Sequence, residues 1–388
     1  MALISFFVND LATNAIVRAA PLAEALRQEG HQVEIIGFVI NGTDVYAPYR
    51  DRFLYKTIQI KGTLRGQIQK LARMAEGDLI YACKPLITTF LPALLSSRLG
   101  LRRPLLLDVE DDELWLDNEP SFTPITKMKK ILRQYWNLRK TYAIQPLTRF
   151  ASAVTVVGRT LQRRYGGVII LHGPDEGVYD PTRPELDTYS CRKRFKLPLD
   201  DPLVLFAGIP HKHKGLDMLI DSLRDSRLRH LKVVLAGPVD HPAFLSAKNM
   251  LPGRVLHLGV VTNDQMPQLL AAINIVPTPQ LINDFTEAQI PAKLLEAMAM
   301  GKSVVASRVS DLPILLGEHD VQPRGWIHTP GDVNGLADCL ANILNNPEEA
   351  RRRGRAAREY FVANAGINAI RSRLRPIFNS IMKGYSLK

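Results

Sequence analysis

Cysteine is scarce in this chain, and glycine is missing from the place where a nucleotide-binding fold most often uses it. The 388 residues hold three cysteines, Cys83, Cys191 and Cys339, far apart and with no CxxC spacing. A disulfide framework and a cysteine zinc site are therefore excluded as organising features, and all three read as ordinary thiols. No stretch of about 20 uninterrupted apolar residues occurs, which leaves no helical membrane span. The opening MALISFFVNDLATN has no basic segment and meets Asp10 early, so no signal peptide is expected and the chain is expected in the cytoplasm. Collagen-like, coiled-coil and low-complexity segments are absent too. The first loop, NDLATNA, lacks both GxGxxG and any glycine, which disfavours a dinucleotide dehydrogenase.

What is present is the composition of an ordinary globular protein, with 46% hydrophobic and 23% charged residues. At roughly 100–200 residues per domain the length suits two domains. The charge is +12, from 50 Lys+Arg against 38 Asp+Glu. Such an excess suggests an anionic partner: nucleic acid, a phospholipid surface or a nucleotide-containing substrate. No RNA- or DNA-binding motif is apparent, so nucleic acid is not expected.

The chain alternates between strand and helix patterns. ALISFFVN reads as strand, residues 14–29 carry Ile16, Val17, Leu22 and Leu26 at helical spacing, and HQVEIIGF returns to strand. Further strands are predicted at LIYAC, RPLLLDVE and SAVTVVG, with helices at 64–75 and 88–99. The stretch 180–202, with four prolines and mixed charge, suits an exposed connector. After it the pattern restarts with PLVLFAGI, GLDMLIDSL, LKVVLAG, RVLHLG, MPQLLAAI, INIVPTP, AKLLEAMAM and SVVAS, a second parallel α/β domain. The basic tail 346–388 is helical in pattern, and its arginines suit either a solvated face or an anion site.

In open parallel sheets ligands bind beyond the carboxyl ends of the strands, which directs the search to the loops there. IPHKHKG places His211, Lys212, His213 and Lys214 before a helix expected near Gly215, where cations and free N–H groups suit a diphosphate; a charged surface turn is the plainer alternative. In IPAKLLEAMAMG, Pro291 is expected to open a helix, Lys293 and Glu296 stand i, i+3 on one face, and Gly301 stops it. Glu296 is then placed to accept ribose hydroxyls, or simply to pair with Lys293. LLLDVEDDELW puts Asp108, Glu110, Asp111, Asp112 and Glu113 at a strand end, as a binding site or an acidic turn. Residues 127–149 combine Lys127, Lys129, Lys130, Arg133, Arg139, Lys140 and Arg149 with Ile131, Leu132, Tyr135, Trp136 and Leu138. That pattern suits a helix lying on an anionic membrane or one packed on the sheet with a solvated basic face. His31 and His257 read as packing residues, while His172 stands at a strand end where binding is open to it.

FAGIPHKHKGLDMLIDSL, LKVVLAGP, RVLHLGVVTNDQMPQLLAAINIVPTP and IPAKLLEAMAMGKSVVAS, in this order and spacing, resemble the donor domain of retaining GT-B glycosyltransferases of family 4 (glycosyltransferase group 1). The match runs through most of 200–345, and EALRQEGHQVEIIGF, VTVVGRTLQRRYGG and HGPDEGVYDP resemble the first half more weakly. The resemblance implies α/β architecture of the GT-B kind: two Rossmann-like, doubly wound parallel-sheet domains facing a cleft. Residues 1–182 would bind the acceptor, with the C-terminal helix 366–388 packing back on them, and 183–365 would bind the nucleotide-sugar donor.

Carried over residue by residue, Glu296 matches the glutamate on the donor ribose, Lys214 the basic residue on the diphosphate, and Gly208 the glycine that admits the donor. Gly259 to Val261, with Val260 central, match the loop near the base, and Leu294 lies within the matched helix. His211 stands where many relatives have arginine, so its help depends on protonation, and Lys212 can compensate. The chain departs from the family at Ala288, where the first of two glutamates is usual. Glu287 then serves through one extra loop residue, or backbone and Lys293 hold the sugar. The glycine-rich first loop is replaced by Asn9, Asp10, Thr13 and Asn14, and Glu110 and Asp111 are the candidates for acceptor or sugar contact.

The implied activity is transfer of a sugar, with retention, from a UDP- or GDP-sugar to a hydroxyl of a glycan or lipid-linked acceptor. It would need no metal and no tightly bound cofactor, and would act in the cytoplasm or peripherally at the inner face of the membrane. The competing readings are an inverting transferase or epimerase on the same fold, and a non-catalytic nucleotide-binding or scaffold protein.

Overall fold

The computed structural model describes residues 1–59, 64–100, 102–112 and 142–386. They form two compact units, Met1–His172 with Ile367–Lys388, and Gly173–Gly366. The sequence pattern had put the division at 182/183; the chain in fact crosses between His172 and Gly173 and returns between Gly366 and Ile367.

Among the described residues the first unit holds a seven-stranded sheet in the order β3-β2-β1-β4-β5-β6-β7, and every pairing is parallel. The strands are β1 (Leu3–Asp10), β2 (Gln32–Val39), β3 (Leu54–Gln59), β4 (Leu79–Cys83), β5 (Leu105–Val109), β6 (Ala153–Val156) and β7 (Val168–Ile169). A parallel sheet covered on both faces needs strands apolar on both sides, and β4 and β5 are buried at every position. Helix Ile16–Gln28 turns Ile16, Ala19, Leu22, Ala23 and Leu26 inward, the 3.6-residue stripe legible in the sequence. Onto the same core helix Ile367–Ser386 delivers Ile370, Leu374 and Phe378, spaced four apart. Each such buried side chain contributes about 1.5–3 kcal/mol. Arg375 adds a paired contact to Glu29 at 2.6 Å.

The second unit repeats the scheme with six strands in the order β10-β9-β8-β11-β12-β13. They are β8 (Leu203–Ala207), β9 (Lys232–Ala236), β10 (Val255–Gly259), β11 (Ile275–Thr278), β12 (Ser303–Ser307) and β13 (Trp326–His328). The strand order reverses between β1 and β4 in one sheet and between β8 and β11 in the other. Those are the points where loops diverge and leave room for a ligand.

The stretch read as an exposed connector contains helix Thr188–Arg194, capped by Asp187, with Cys191 and Arg192 buried. Its Arg192 guanidinium donates to the carbonyls of Ala272, Pro198 and Leu199 and to Asn274 Oδ1. Charge patterning missed this because an arginine can be buried when carbonyls satisfy its five donors. The basic tail is likewise partly structural. Arg353 lies over the Trp326 ring and donates to the Gly325 carbonyl, and Arg358 donates to the carbonyls of Tyr179, Ala299 and Glu176. No helix among the described residues is long and apolar enough to cross a membrane.

Helix Pro347–Asn364 approaches the turn at Gly301 so closely that a Cβ on Gly354 would stand 2.2 Å from the Gly301 carbonyl oxygen. Gly354→Ala is therefore expected to lower stability by about 1–3 kcal/mol through forced separation of the two backbones, read as a lowered midpoint in urea denaturation.

Candidate active site

In the second unit the site begins where β8 ends. Gly208 has φ 109°, and a Cβ there would meet only the Lys214 amine, at 3.5 Å. The lysine thus folds back over the glycine. His211 precedes a 3-10 turn, Lys212–Lys214, and only after Gly215 does helix Leu216–Ser222 start. The cations therefore lie in the turn before the helix. Gly215 has φ 70°, and a Cβ on it would be 1.9 Å from the Pro279 carbonyl oxygen, so only glycine permits this approach. Beyond Pro279, the Leu281 N–H donates to the His213 carbonyl at 2.8 Å. The His211 and His213 rings stack at 5.5 Å, and His213 packs edge-on against Phe285 at 5.2 Å. Together these contacts bind the loop after β8 to the loop after β11 across the point where the strand order reverses.

Helix Ala292–Ala299 follows, with Pro291 as its cap rather than its first residue. It ends as the sequence suggested: Gly301 takes φ 61° and its N–H and that of Lys302 donate back to Met298 and Ala297. Glu296 is 6% exposed and accepts from Lys293 Nζ at 3.0 Å, so its carboxylate is enclosed but neutralised. Leu294 is wholly buried and its N–H is used by the Pro291 carbonyl. Val260 stands exposed beyond Gly259 at the end of β10, two strands from β8.

Ala288 is buried in the short helix Asp284–Ala288, whose Asn283 cap and Thr286 form a reciprocal capping box. Glu287 on that helix is directed at the Ser310 N–H after β12, at 3.5 Å. Sequence reasoning passes over Thr278, the last residue of β11, and Gln280 and Gln289 in the loops beyond it, because isolated hydroxyls and amides carry no spacing signal.

The first unit places Glu110 and Asp111 at the end of β5, both reached by Lys84 Nζ, at 3.1 and 2.9 Å. Lys84 has φ 76°, a conformation uncommon for a side-chain-bearing residue, at the end of β4. Its N–H donates to the Asp108 carbonyl at 2.8 Å. Behind it, Arg18 and Asp108, both buried, form a two-bonded ion pair at 2.7 and 2.6 Å, and Thr155 joins Asp108 to Tyr81.

Burial pushes the Glu110 carboxyl up to about 7; Lys84 opposes this and Asp111 adds to it. Burial, with Arg18, holds His172 down at about 4. Asp112 pairs with Arg164 at 2.7 Å. Asp10 is used structurally, accepting the N–H groups of Ala12, Ile40 and Asn41, while Thr88 donates to Asn9 and Thr13 to the Asp10 carbonyl. His31 accepts from the Ala2 N–H, and His257 contacts the Gly237 carbonyl.

Of the basic stretch 127–149, residues 127–141 lie outside the described residues, as does Glu113. Its described end contains the 3-10 turn Gln145–Phe150, where Arg98 and Arg149 both lie over the half-exposed Phe150 ring. Among the described residues no three His, Cys, Asp or Glu side chains converge as metal ligands.

Two parallel-sheet units of this kind, each with its polar cluster beyond the strand ends, define the GT-B fold. Solved structures share it over nearly the whole chain. One is the Anabaena protein Alr3699/HepE in complex with UDP-glucose (TM-score 0.73, 19% identity, 98% of this chain and 100% of that one). Another is sucrose-phosphate synthase from Thermosynechococcus elongatus (0.70, 18%, 99% and 100%).

Residues 201–346, all within the second unit, match the family Glycosyl transferases group 1. Among curated proteins, the chain is 26% identical over 243 residues to 2-deoxystreptamine glucosyltransferase of Streptomyces kanamyceticus, covering 60% of this chain and 59% of the relative. It is also 26% identical over 204 residues to D-inositol 3-phosphate glycosyltransferase of Corynebacterium glutamicum, covering 50% and 46%. The chain thus spans about half the length of these curated relatives.

Glu110 gives a test of the first-unit cluster. A carboxyl raised toward 7 on folding favours the folded state fully below its unfolded value near 4.5, and that contribution is lost as pH rises through 7. Relative to wild type, Glu110→Gln is expected to gain stability between pH 5 and pH 8, about these bounds, seen by comparing urea midpoints of the two proteins at each pH.

Proposed function

We propose that this protein is a retaining glycosyltransferase that moves a sugar from a nucleotide-diphosphate sugar to a hydroxyl of a glycan or lipid-linked acceptor. The observation that carries the proposal is the loop His211–Gly215, pressed against Pro279, with the Lys214 amine over the open face of Gly208. A diphosphate seated there would have Lys214, Lys212 and a protonated His211 at hand as negative charge develops on its departing oxygen. Preorganised cations of this kind act where charge appears in the transition state. The same diphosphate oxygen can accept the proton of the incoming hydroxyl, so no protein nucleophile is required and retention follows from attack on the face the leaving group vacates.

Glu296, in the helix beyond Pro291, is the group for the ribose hydroxyls. Its carboxylate already accepts from Lys293 Nζ and has further lone pairs to offer to hydroxyls. Val260 would flank the base, UDP and GDP being the donors to test first. Lysine and histidine charge substitutes for a cation on the diphosphate, so the reaction should proceed in EDTA. The first unit would take the acceptor, with Glu110 and Asp111 contacting its hydroxyls. A lipid-linked acceptor accords with the paired Arg98 and Arg149 around exposed Phe150, a surface suited to an anionic bilayer at the cytoplasmic face.

A second reading, a nucleotide-binding protein without turnover, draws on the buried Ala288 where relatives carry a carboxylate.

A panel of nucleoside diphosphates and their sugars, followed by thermal shift, should raise the melting temperature for one base, and Glu296→Ala should abolish that rise. Stabilisation by none of them would refute the transferase. With the donor known, Lys214→Ala should lower kcat by about 10²-fold in a product-release assay, whereas turnover at the wild-type rate would remove Lys214 from the diphosphate.

A further inference from the structure

Gln280 is 2% exposed, and its Oε1 has no hydrogen-bond partner among the described residues. Its Nε2 donates to Gln289 Oε1 at 3.1 Å. Turning both amides over exchanges oxygen for nitrogen and still leaves one polar atom of Gln280 without a partner. Two residues earlier, the Thr278 hydroxyl is enclosed without a partner as well. Native interiors rarely leave buried polar atoms unpaired, because each has given up its water, and a ligand group is one way of satisfying them.

The place of Gln280 says which ligand. The residue before it, Pro279, is the one whose carbonyl meets Gly215, and the residue after it, Leu281, bonds to the His213 carbonyl. Gln280 is therefore held against the cationic turn from both sides. Its partner Gln289 lies between Ala288 and Pro291, the cap of the helix that carries Lys293 and Glu296. The amide pair joins the two segments assigned to diphosphate and ribose, next to the position that has no carboxylate.

We infer that Gln280, held in place by Gln289, binds a hydroxyl of the transferred hexose and takes over from the carboxylate missing at Ala288. The inference deepens the donor-site reading above and rests on it. An amide can both accept and donate, so it can hold a sugar hydroxyl without adding a negative charge beside the diphosphate.

The test is calorimetric titration of the full chain with UDP, UDP-glucose, GDP and GDP-mannose. In Gln280→Leu the dissociation constant of the accepted sugar nucleotide is expected to rise about tenfold relative to that of its nucleoside diphosphate, which stays at the wild-type value. Gln280→Asn keeps the chemistry but shortens the reach and should show the same selective rise, which covers failure of the leucine variant to fold. An unchanged ratio in a folded variant, or equal weakening of both ligands, would overturn the assignment and leave Gln280 a structural residue. If wild type binds neither the diphosphates nor their sugars, the donor-site reading itself fails, and the variants are not needed to see it.

Discussion

The second unit depends on the contact of Gly215 with the Pro279 carbonyl. A Cβ would stand 1.9 Å from that oxygen, closer than any side chain tolerates, and the backbone at Gly215 is left-handed. The contact closes the loop after β8 onto the loop after β11. Lys214 stands over Gly208 in the same turn, Leu281 donates to the His213 carbonyl beside it, and Gln280 lies between Pro279 and Leu281. The helices supply comparatively little directly: the helix after Gly215 is seven residues long, and the cations precede it. The proposed diphosphate site would thus draw its charge from a turn held by backbone packing.

The first unit uses a different device at its equivalent position. Where β1 and β4 diverge, a buried arginine rather than a glycine does the fastening. Arg18 enters from the first turn of its helix and clasps Asp108 on β5, with Thr155 and Tyr81 completing the hydrogen bonding. A buried ion pair contributes little net stability against an apolar substitute, but removing one partner costs about 3–5 kcal/mol. Its value lies in placement: it fixes the end of β5, and with it the two carboxylates that Lys84 joins. The result is a partly enclosed cluster in which burial, aided by Asp111 and opposed by Lys84, pushes the Glu110 carboxyl up to about 7.

Much of this could be read directly from the residues. Continuous apolar runs such as LIYAC and SVVAS become fully buried parallel strands, and the i, i+3 spacing of Lys293 and Glu296 becomes a 3.0 Å contact. The Gly301 stop is also legible, since a left-handed residue closing a helix is a local property. By contrast, short strands such as β7 and β13 were missed, because two or three residues make no pattern. The stretch 180–202 reads as an exposed connector because proline and charge usually mark solvent, yet Arg192 is buried there, held by the neighbouring Pro198 and Leu199 carbonyls and by the distant Ala272 carbonyl and Asn274 side chain. The boundary between the units fell ten residues earlier than composition suggested, since compactness depends on contacts and not on local sequence.

The alternation of strand and helix, its doubling, the cationic turn and the helix bearing Glu296 are all legible in the residues alone. These are properties of neighbours along the chain: periodicity, capping and spacing. Which polar groups meet is set by the fold. Lys84 with Glu110 and Asp111, Arg18 with Asp108, and Gln280 with Gln289 are separated by 26, 27, 90 and 9 residues, respectively for Glu110, Asp111, Asp108 and Gln289. Parallel strands bring their carboxyl ends together at one edge whatever the length of the intervening crossover, so the partners there are chosen by strand order, which no local pattern encodes.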